Sequence, residues 1–387
     1  MTQRNFRNVF FISLSQFGMA FSFNFVMVFI PFFIQKASPY PSHETLVWVG
    51  LIMGAPSVAA ASMSTFWGSL TSRFSPKALF LRGLLSHAVL IFLMGYVSSL
   101  PLLFALRVVQ GIFGGISTVG LILVTASSSH DWVSRDIGFF QNSMTFGQLI
   151  GPPVGAIAAL TLGYKGAFIS ASALVFVTLA FCFFNVAEVR QEGKERKATG
   201  KQTVDRRMLI GWGLCFTATM QLMFLPSILP NVFQGFGIEH AIALQWAGFI
   251  VMFYTGTAMI GNYVLCKLSS RIRIGKLIIS AGVVGLILQS LLAVAPGIIS
   301  FTAIRMLQTA MVAAILPLVF SIFASDLDGR VIGFLNSGRF LGNAMGPMVG
   351  TTVLAFSSLS WVFSAVSGIG LLALLSFAFF FDRRVNL

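Results

Sequence analysis

Phe104-Ala105-Leu106-Arg107-Val108-Val109-Gln110-Gly111-Ile112-Phe113-Gly114-Gly115 lies inside an apolar run from Pro101 to Ala126 and sets an arginine where hydrocarbon belongs. A guanidinium held in a bilayer costs roughly 2.5–3.5 kcal/mol on insertion scales and several times more in simulations of an isolated helix. Such a charge is expected to look into a bundle interior or a wet cavity. Gln110, Gly114 and Ser117 are expected to share its helical face. The remainder of the chain is then expected to build that cavity.

Composition agrees. Of 387 residues 56% are hydrophobic, 9% are charged and 41 are Phe, which no water-exposed globular surface would carry. Apolar runs of about 20 residues recur along the chain, so an all-α integral membrane bundle is expected. The formal net charge of +14 comes without a basic stripe interleaved with exposed aromatics, which argues against nucleic acid as a partner. Topology accounts for it instead. Twenty of the 25 Lys and Arg residues fall in the termini and one alternate set of connections. Two, Lys36 and Lys165, fall in the other set, and three, Arg107, Arg305 and Arg339, lie within apolar runs. The positive-inside rule then puts both termini and the Glu188–Arg207 loop in the cytoplasm of a multi-pass plasma-membrane protein, of the bacterial inner-membrane kind. Cys182, Cys215 and Cys266 are single thiols without CxxC spacing and read as small core residues. The first apolar run, after Arg4 and Arg7, is too long for a signal-peptide core and reads as a retained span.

Twelve spans are expected, over 8–34, 46–67, 78–98, 102–126, 137–161, 166–187, 208–233, 242–266, 276–296, 299–324, 331–356 and 358–381. The polar stretch 188–207 separates an N-terminal six-helix half, 1–187, from a C-terminal one, 208–387. The halves repeat. Leu70-Thr71-Ser72-Arg73 recurs as Leu268-Ser269-Ser270-Arg271, and Arg107-x-x-Gln110 as Arg305-x-x-Gln308, both at an offset of 198. Gly147-x-x-x-Gly151-Pro152-x-x-Gly155 recurs as Gly342-x-x-x-Gly346-Pro347-x-x-Gly350 at an offset of 195. Six spans return the chain to the same orientation, so this is a parallel repeat, whose interface is expected to carry a midplane substrate site.

These motifs resemble those of the major facilitator superfamily, in its twelve-helix drug–proton antiporter branch, over essentially the whole chain. The segment Gly68-Ser-Leu-Thr-Ser-Arg73-Phe-Ser-Pro-Lys77 through Arg82 is similar to that family's cytoplasmic loop, but Ser72 stands where the family has an acidic residue. The mirrored Ser270 offers no replacement. The resemblance implies gating roles for Gly68, Arg73, Lys77 and Arg271, and for the glycine–proline motif Gly147, Gly151, Pro152, Gly155, Gly346 and Pro347. It links Arg107 and Gln110 to the cavity and to proton movement, and the motif at Gly147 to export.

Depth supplies a separate argument. Helix four enters from outside, putting Arg107 roughly 8 Å down, and helix five enters from inside, putting Pro152 roughly 22 Å up a ~30 Å core. The Arg107 guanidinium is therefore expected to satisfy carbonyls freed at Gly147 to Gly151, and Arg305 to repeat this beside Gly346-Pro347. Polar residues at helical spacing, Gln16 and Asn24, Gln141 and Thr145, and Asn336 and Arg339, are expected to line the cavity with Gln110, Gln221, Arg305 and Gln308.

All eleven acidic residues fall in expected loops or at span ends, so the intramembrane formal charge is that of the three arginines. A proton-driven exporter of cations needs a buried carboxylate, and none is expected here. His87 is the one group in span three that titrates near neutrality, and packing is its expected role. An anionic or carboxylate-bearing amphipathic substrate, such as a siderophore or metabolite, would supply the counter-charge. Export of such a small molecule by alternating access is the expected function, with protons as a candidate coupling ion and membrane lipid as a partner. Uptake of an organic anion and lipid translocation are the alternatives. Four scattered His and no clustered acids argue against an enzyme, a metal site or a cofactor. A monomer is expected.

Overall fold

A computed structural model of the chain describes residues 6–71, 73–129, 132–188, 205–323 and 329–380. Its regular structure there is helical: α1 (Phe6–Ala37), α2 (Ser42–Leu70), α3 (Pro76–Met94), α4 (Leu100–Ile112), α5 (Ile116–Ser127), α6 (Val133–Asn185), α7 (Arg206–Met223), α8 (Leu225–Gly235), α9 (His240–Leu268), α10 (Ile274–Leu291), α11 (Ile298–Val312), α12 (Ile315–Ile322), α13 (Gly329–Phe356) and α14 (Leu359–Phe380). Ser72 and most of the 188–207 stretch lie outside the described residues.

Among the described residues, nine helices are long and apolar enough to cross a membrane, or ten with α7 and α8 taken as one bent span. Eleven of the twelve expected spans map onto these helices, and the remaining one, 331–356, falls on α13, which is not among them. Span four is α4 with α5, span seven is α7 with α8, and span ten is α11 with α12. Spans five and six are the two limbs of α6, which leaves helical geometry at Gly163 (φ 70°, ψ 169°) and stays helical through Pro152 and Pro153. A positive φ favours glycine, which explains the residue at that turn.

Span four is not the continuous helix expected. Gly115 adopts φ 84° and separates α4 from α5, so Ser117 does not continue the helical face of Arg107. The break is held from two sides. Trp67 Nε1 donates to the Ile112 carbonyl at 2.7 Å, and Arg82 Nη2 donates to the carbonyls of Phe113 at 3.3 Å and Gly114 at 3.4 Å. The Arg82 guanidinium also lies 3.3 Å from the Trp67 ring centroid, so orphaned carbonyls at a broken helix meet a cation stacked on an indole.

Packing gathers the described residues into two compact units, one within Met1–Phe33, Val58–Gly200 and Ala247–Phe249, the other within Ile34–Ser57, Lys201–Trp246 and Ile250–Leu387. In the first, Gly147, Gly151 and Gly155 bring α6 against the backbone of α1, and the Cβ that alanine would add at Gly147 lies 2.7 Å from the Phe17 carbonyl. In the second, Gly342 and Gly346 bring α13 against α7 in the same manner, beside Phe216, Met220 and Phe224. Without a hydrophobic force between helices in lipid, this close backbone approach holds the spans together. The second unit also takes in the first half of α2, where Gly50 and Gly54 meet Thr351, Met348 and Ala344 of α13. Outward-facing Phe184, Ile299 and Phe356 present the apolar surface that hydrocarbon covers.

Candidate functional site

Arg107, on the buried face of α4, is 1% exposed. Its Nη1 donates to Gln110 Oε1 at 2.6 Å, its Nη2 lies 2.9 Å from the Met27 thioether, and the guanidinium sits 5.5 Å from the Phe23 ring centroid. Arginine only donates, so Gln110 must turn its amide oxygen toward it and its Nε2 toward His87 Nδ1, at 3.0 Å. His87 then accepts at Nδ1 and keeps its proton on Nε2, a neutral ring stacked on Phe23 with centroids 6.0 Å apart. One guanidinium thereby orders an amide and fixes an imidazole tautomer.

Arg305, on α11, repeats the glutamine contact and lies against aromatic rings as Arg107 does, but its fork is set on backbone carbonyls. Its Nη1 donates to Gln308 Oε1 at 2.7 Å and to the Gln221 carbonyl at 3.0 Å, and its Nη2 to the Leu222 carbonyl at 2.9 Å. Phe224 and Tyr254 rings flank it at 5.2 and 5.0 Å. These carbonyls belong to the last turn of α7, so the expected partner, the Gly346-Pro347 turn, is replaced by the break in span seven. The reason lies in the sequence. Pro226, four residues after Leu222, has no N–H to give that carbonyl. Gly346 approaches the same break, with its prospective Cβ 3.0 Å from the Met220 carbonyl.

Arg339 is arranged differently again. On α13, Leu335, Gly338, Gly342 and Gly346 are buried, while Asn336, Arg339 and Asn343 run along an adjoining half-buried face. Among the described residues Arg339 makes no hydrogen bond. Its guanidinium lies 5.3 Å from the Phe340 ring, and its Nε is shielded without a partner. Beside this face, Trp212 and Phe216 of α7 stack at 5.6 Å with an interplanar angle of 6°, and Trp212 Nε1 donates to Ser337 at 3.0 Å.

The remaining expected residues scatter. Gln16 is fully buried and donates to Ser117 at 2.8 Å. Asn24 donates to its own helix at the Ala20 carbonyl, as Thr145 does at the Gln141 carbonyl, and Gln141 is exposed. Gln221 is buried and accepts at Oε1 from Gln308 at 3.4 Å. Of the expected gating residues, Arg73 and Arg271 are exposed, Gly68 packs near Thr118, and Lys77 donates to the Phe183 carbonyl at 2.9 Å, at the C-terminal end of α6. A cavity of about 310 Å³ between the feet of α7 and α14 is lined by Arg206, Leu209, Ile210, Gly213, Ala373 and Ser376, none of them expected site residues. No group of three His, Cys, Asp or Glu side chains able to hold a metal occurs among the described residues.

Residues 12–304 match the sequence profile of the Major Facilitator Superfamily. The chain belongs to this family. As a member it is a multi-pass membrane transporter, and its relatives span its length. It is 23% identical to the staphyloferrin B transporter of Staphylococcus aureus, over 89% of this chain and 86% of that one. It is 24% identical to the multidrug resistance protein MdtG of Yersinia enterocolitica, over 90% and 87%. The crystal structure of the nucleoside transporter NupG superposes with a TM-score of 0.77 at 12% identity, over 98% of this chain and 99% of that one. At that identity the likeness speaks for the fold alone.

Sequence reasoning missed the partners rather than the arginines. Pro226 was the available sign of acceptors for Arg305. For Trp67 with Arg82, and for Met27 with Arg107, nothing short of coordinates brings the residues together.

Proposed function

We propose that this transporter exports an amphipathic organic anion, held by Arg339 on the α13 face that also carries Asn336 and Asn343. One observation carries the reading. Arg339 lies ten residues into α13, roughly 15 Å along that helix, with no hydrogen-bonding partner among the described residues. A half-buried guanidinium without an acceptor favours whatever brings one, and its planar fork suits a carboxylate or phosphate. The stacked Trp212 and Phe216 beside the same face suit the apolar part of such a molecule.

Export is supported by the motif at Gly147 and by a relative named for multidrug resistance. A relative named for staphyloferrin B transport supports an organic cargo. Cytoplasmic termini, an inner-membrane location and a monomeric carrier complete the proposal. In everted vesicles or proteoliposomes screened with organic carboxylates and phosphates, Arg339→Gln is expected to cut uptake of the transported anion at least tenfold, with Arg339→Lys in between. Undiminished anion uptake by Arg339→Gln, or transport confined to cations, would sink the reading.

A further inference from the structure

We infer that Arg305 is a positioning residue of span seven, a clamp that holds the bend between α7 and α8, and not a ligand for cargo. α7 and α8 meet at Phe224 with a bend of 40°. Pro226 leaves the Leu222 carbonyl without its usual donor, and the proline ring crowds that carbonyl away from the helix axis. Gln221 stands four residues before Leu225, the first residue of α8, so its carbonyl faces the same discontinuity. Two acceptors in hydrocarbon without donors would each carry a desolvation penalty.

Arg305 reaches both from the neighbouring span, with Nη1 on Gln221 and Nη2 on Leu222, and Gln308 fixes the plane of the fork. The site is closed. Arg305, Gln308 and Phe224 are 0% exposed, and Tyr254 and Phe224 cover the guanidinium. Two independent features fit the bend itself. Gly346 of α13 admits the backbone at Met220–Phe224, and Gly370 of α14 admits the Gln221 side chain, whose Nε2 lies 2.7 Å from the Cβ an alanine there would add. The guanidinium and the proline therefore form one device, in which each makes sense only with the other.

That mutual dependence supplies the test. In the purified full-length chain, Arg305→Met is expected to lower the thermal unfolding midpoint by about 5 °C or more. Pro226→Ala restores an N–H to the Leu222 carbonyl, and added to Arg305→Met it is expected to recover at least half of that loss. Should Arg305→Met fail to accumulate in membranes, recovery of its accumulation by Pro226→Ala is the same measurement. Losses that simply add would overturn the inference. So would an Arg305→Met protein of normal midpoint whose KM for the transported anion rises tenfold, since that result places Arg305 in the binding site. Neither outcome depends on Arg339.

Discussion

Arg107 and Arg305 stand 198 residues apart in repeated spans, and each holds the glutamine three residues ahead, at 2.6 and 2.7 Å. Beyond that they part. Arg305 turns to two backbone carbonyls of α7, Arg107 to the thioether of Met27 and the face of Phe23. The difference originates in the neighbouring span. Gly147 meets Phe17 and Phe21 as Gly342 meets Phe216 and Met220, which aligns α1 with α7 at an offset of 199 and sets Met27 opposite Pro226. A repeated motif thus fixes only its local partner, and the unrepeated residue across the interface decides whether the arginine mends a helix or faces side chains. One of the pair is built into the scaffold. The other includes among its contacts the soft thioether of Met27.

The largest expected effect breaks the comparison directly. Arg305→Met strands two buried carbonyls, at about 1–3 kcal/mol each, whereas the described hydrogen bonds that Arg107→Met gives up go to side chains, a glutamine and a sulfur, and a buried charge goes with them. The unfolding free energy of Arg107→Met is expected to stay within about 1 kcal/mol of the parent. Unfolding titrations of both variants side by side decide the matter, and equal losses would mean the arginines do the same job. The comparison is sharpened by moving the break. Met27→Pro frees the Phe23 carbonyl close to Arg107, where an interior proline ordinarily costs about 3 kcal/mol. With Arg107 present about half of that loss is expected, and with Arg107→Met all of it. A loss that ignores residue 107 would show that the guanidinium does not reach α1 in that way.

The fold was legible because its determinants are local. Apolar run length gave the spans, and the glycine repeats gave the close helix pairs that Gly147 and Gly342 make. The partners at the site were legible only in part. Burial of Arg107 and Arg305 followed from charge within hydrocarbon. The acceptor of Arg305 needed Pro226 to be read as an exposed carbonyl at Leu222, and the break at Gly115 was hidden in a run that looked uniformly apolar. Arg339 was picked out by the same charge argument as the others. Its distinction, a guanidinium without an acceptor among the described residues, belongs to three-dimensional packing and leaves no mark in the sequence.

A smaller effect tests whether the glycine repeats are equal in strength. The Cβ that alanine would add at Gly155 collides with the carbonyl of Phe25, a backbone atom that has nowhere to go, while at Gly350 it would lie 3.4 Å from the Phe224 side chain, near ordinary contact. Gly155→Ala is expected to destabilise by about 1–3 kcal/mol, as overpacking does, and Gly350→Ala by less than about 0.5 kcal/mol. The same titrations measure both, and the reverse order would show that the two motifs do not close their helix pairs as the structure has them.

The smallest effect concerns His87, which has no histidine counterpart in the other half, where Gly285 stands at the same offset and packs against Val312. Gln110 cannot turn over without presenting its NH₂ to Arg107, so the His87 Nδ1 must go on accepting. A proton added at Nδ1 would set N–H against N–H and place a second cation beside the first. Proton traffic through this ring would have to undo the Gln110 contact each time, which argues for packing and orientation as its task. His87→Gln, which keeps an acceptor oxygen, is expected to transport within about twofold of the parent. His87→Leu strands the Gln110 amide and is expected to lose about threefold to tenfold in rate, a buried donor without a partner costing about 1 kcal/mol or more. In neither variant should the pH profile of transport move. A profile flattened by His87→Gln would make the imidazole a proton carrier, and Arg107 would then hold a titrating relay in place of a fixed one.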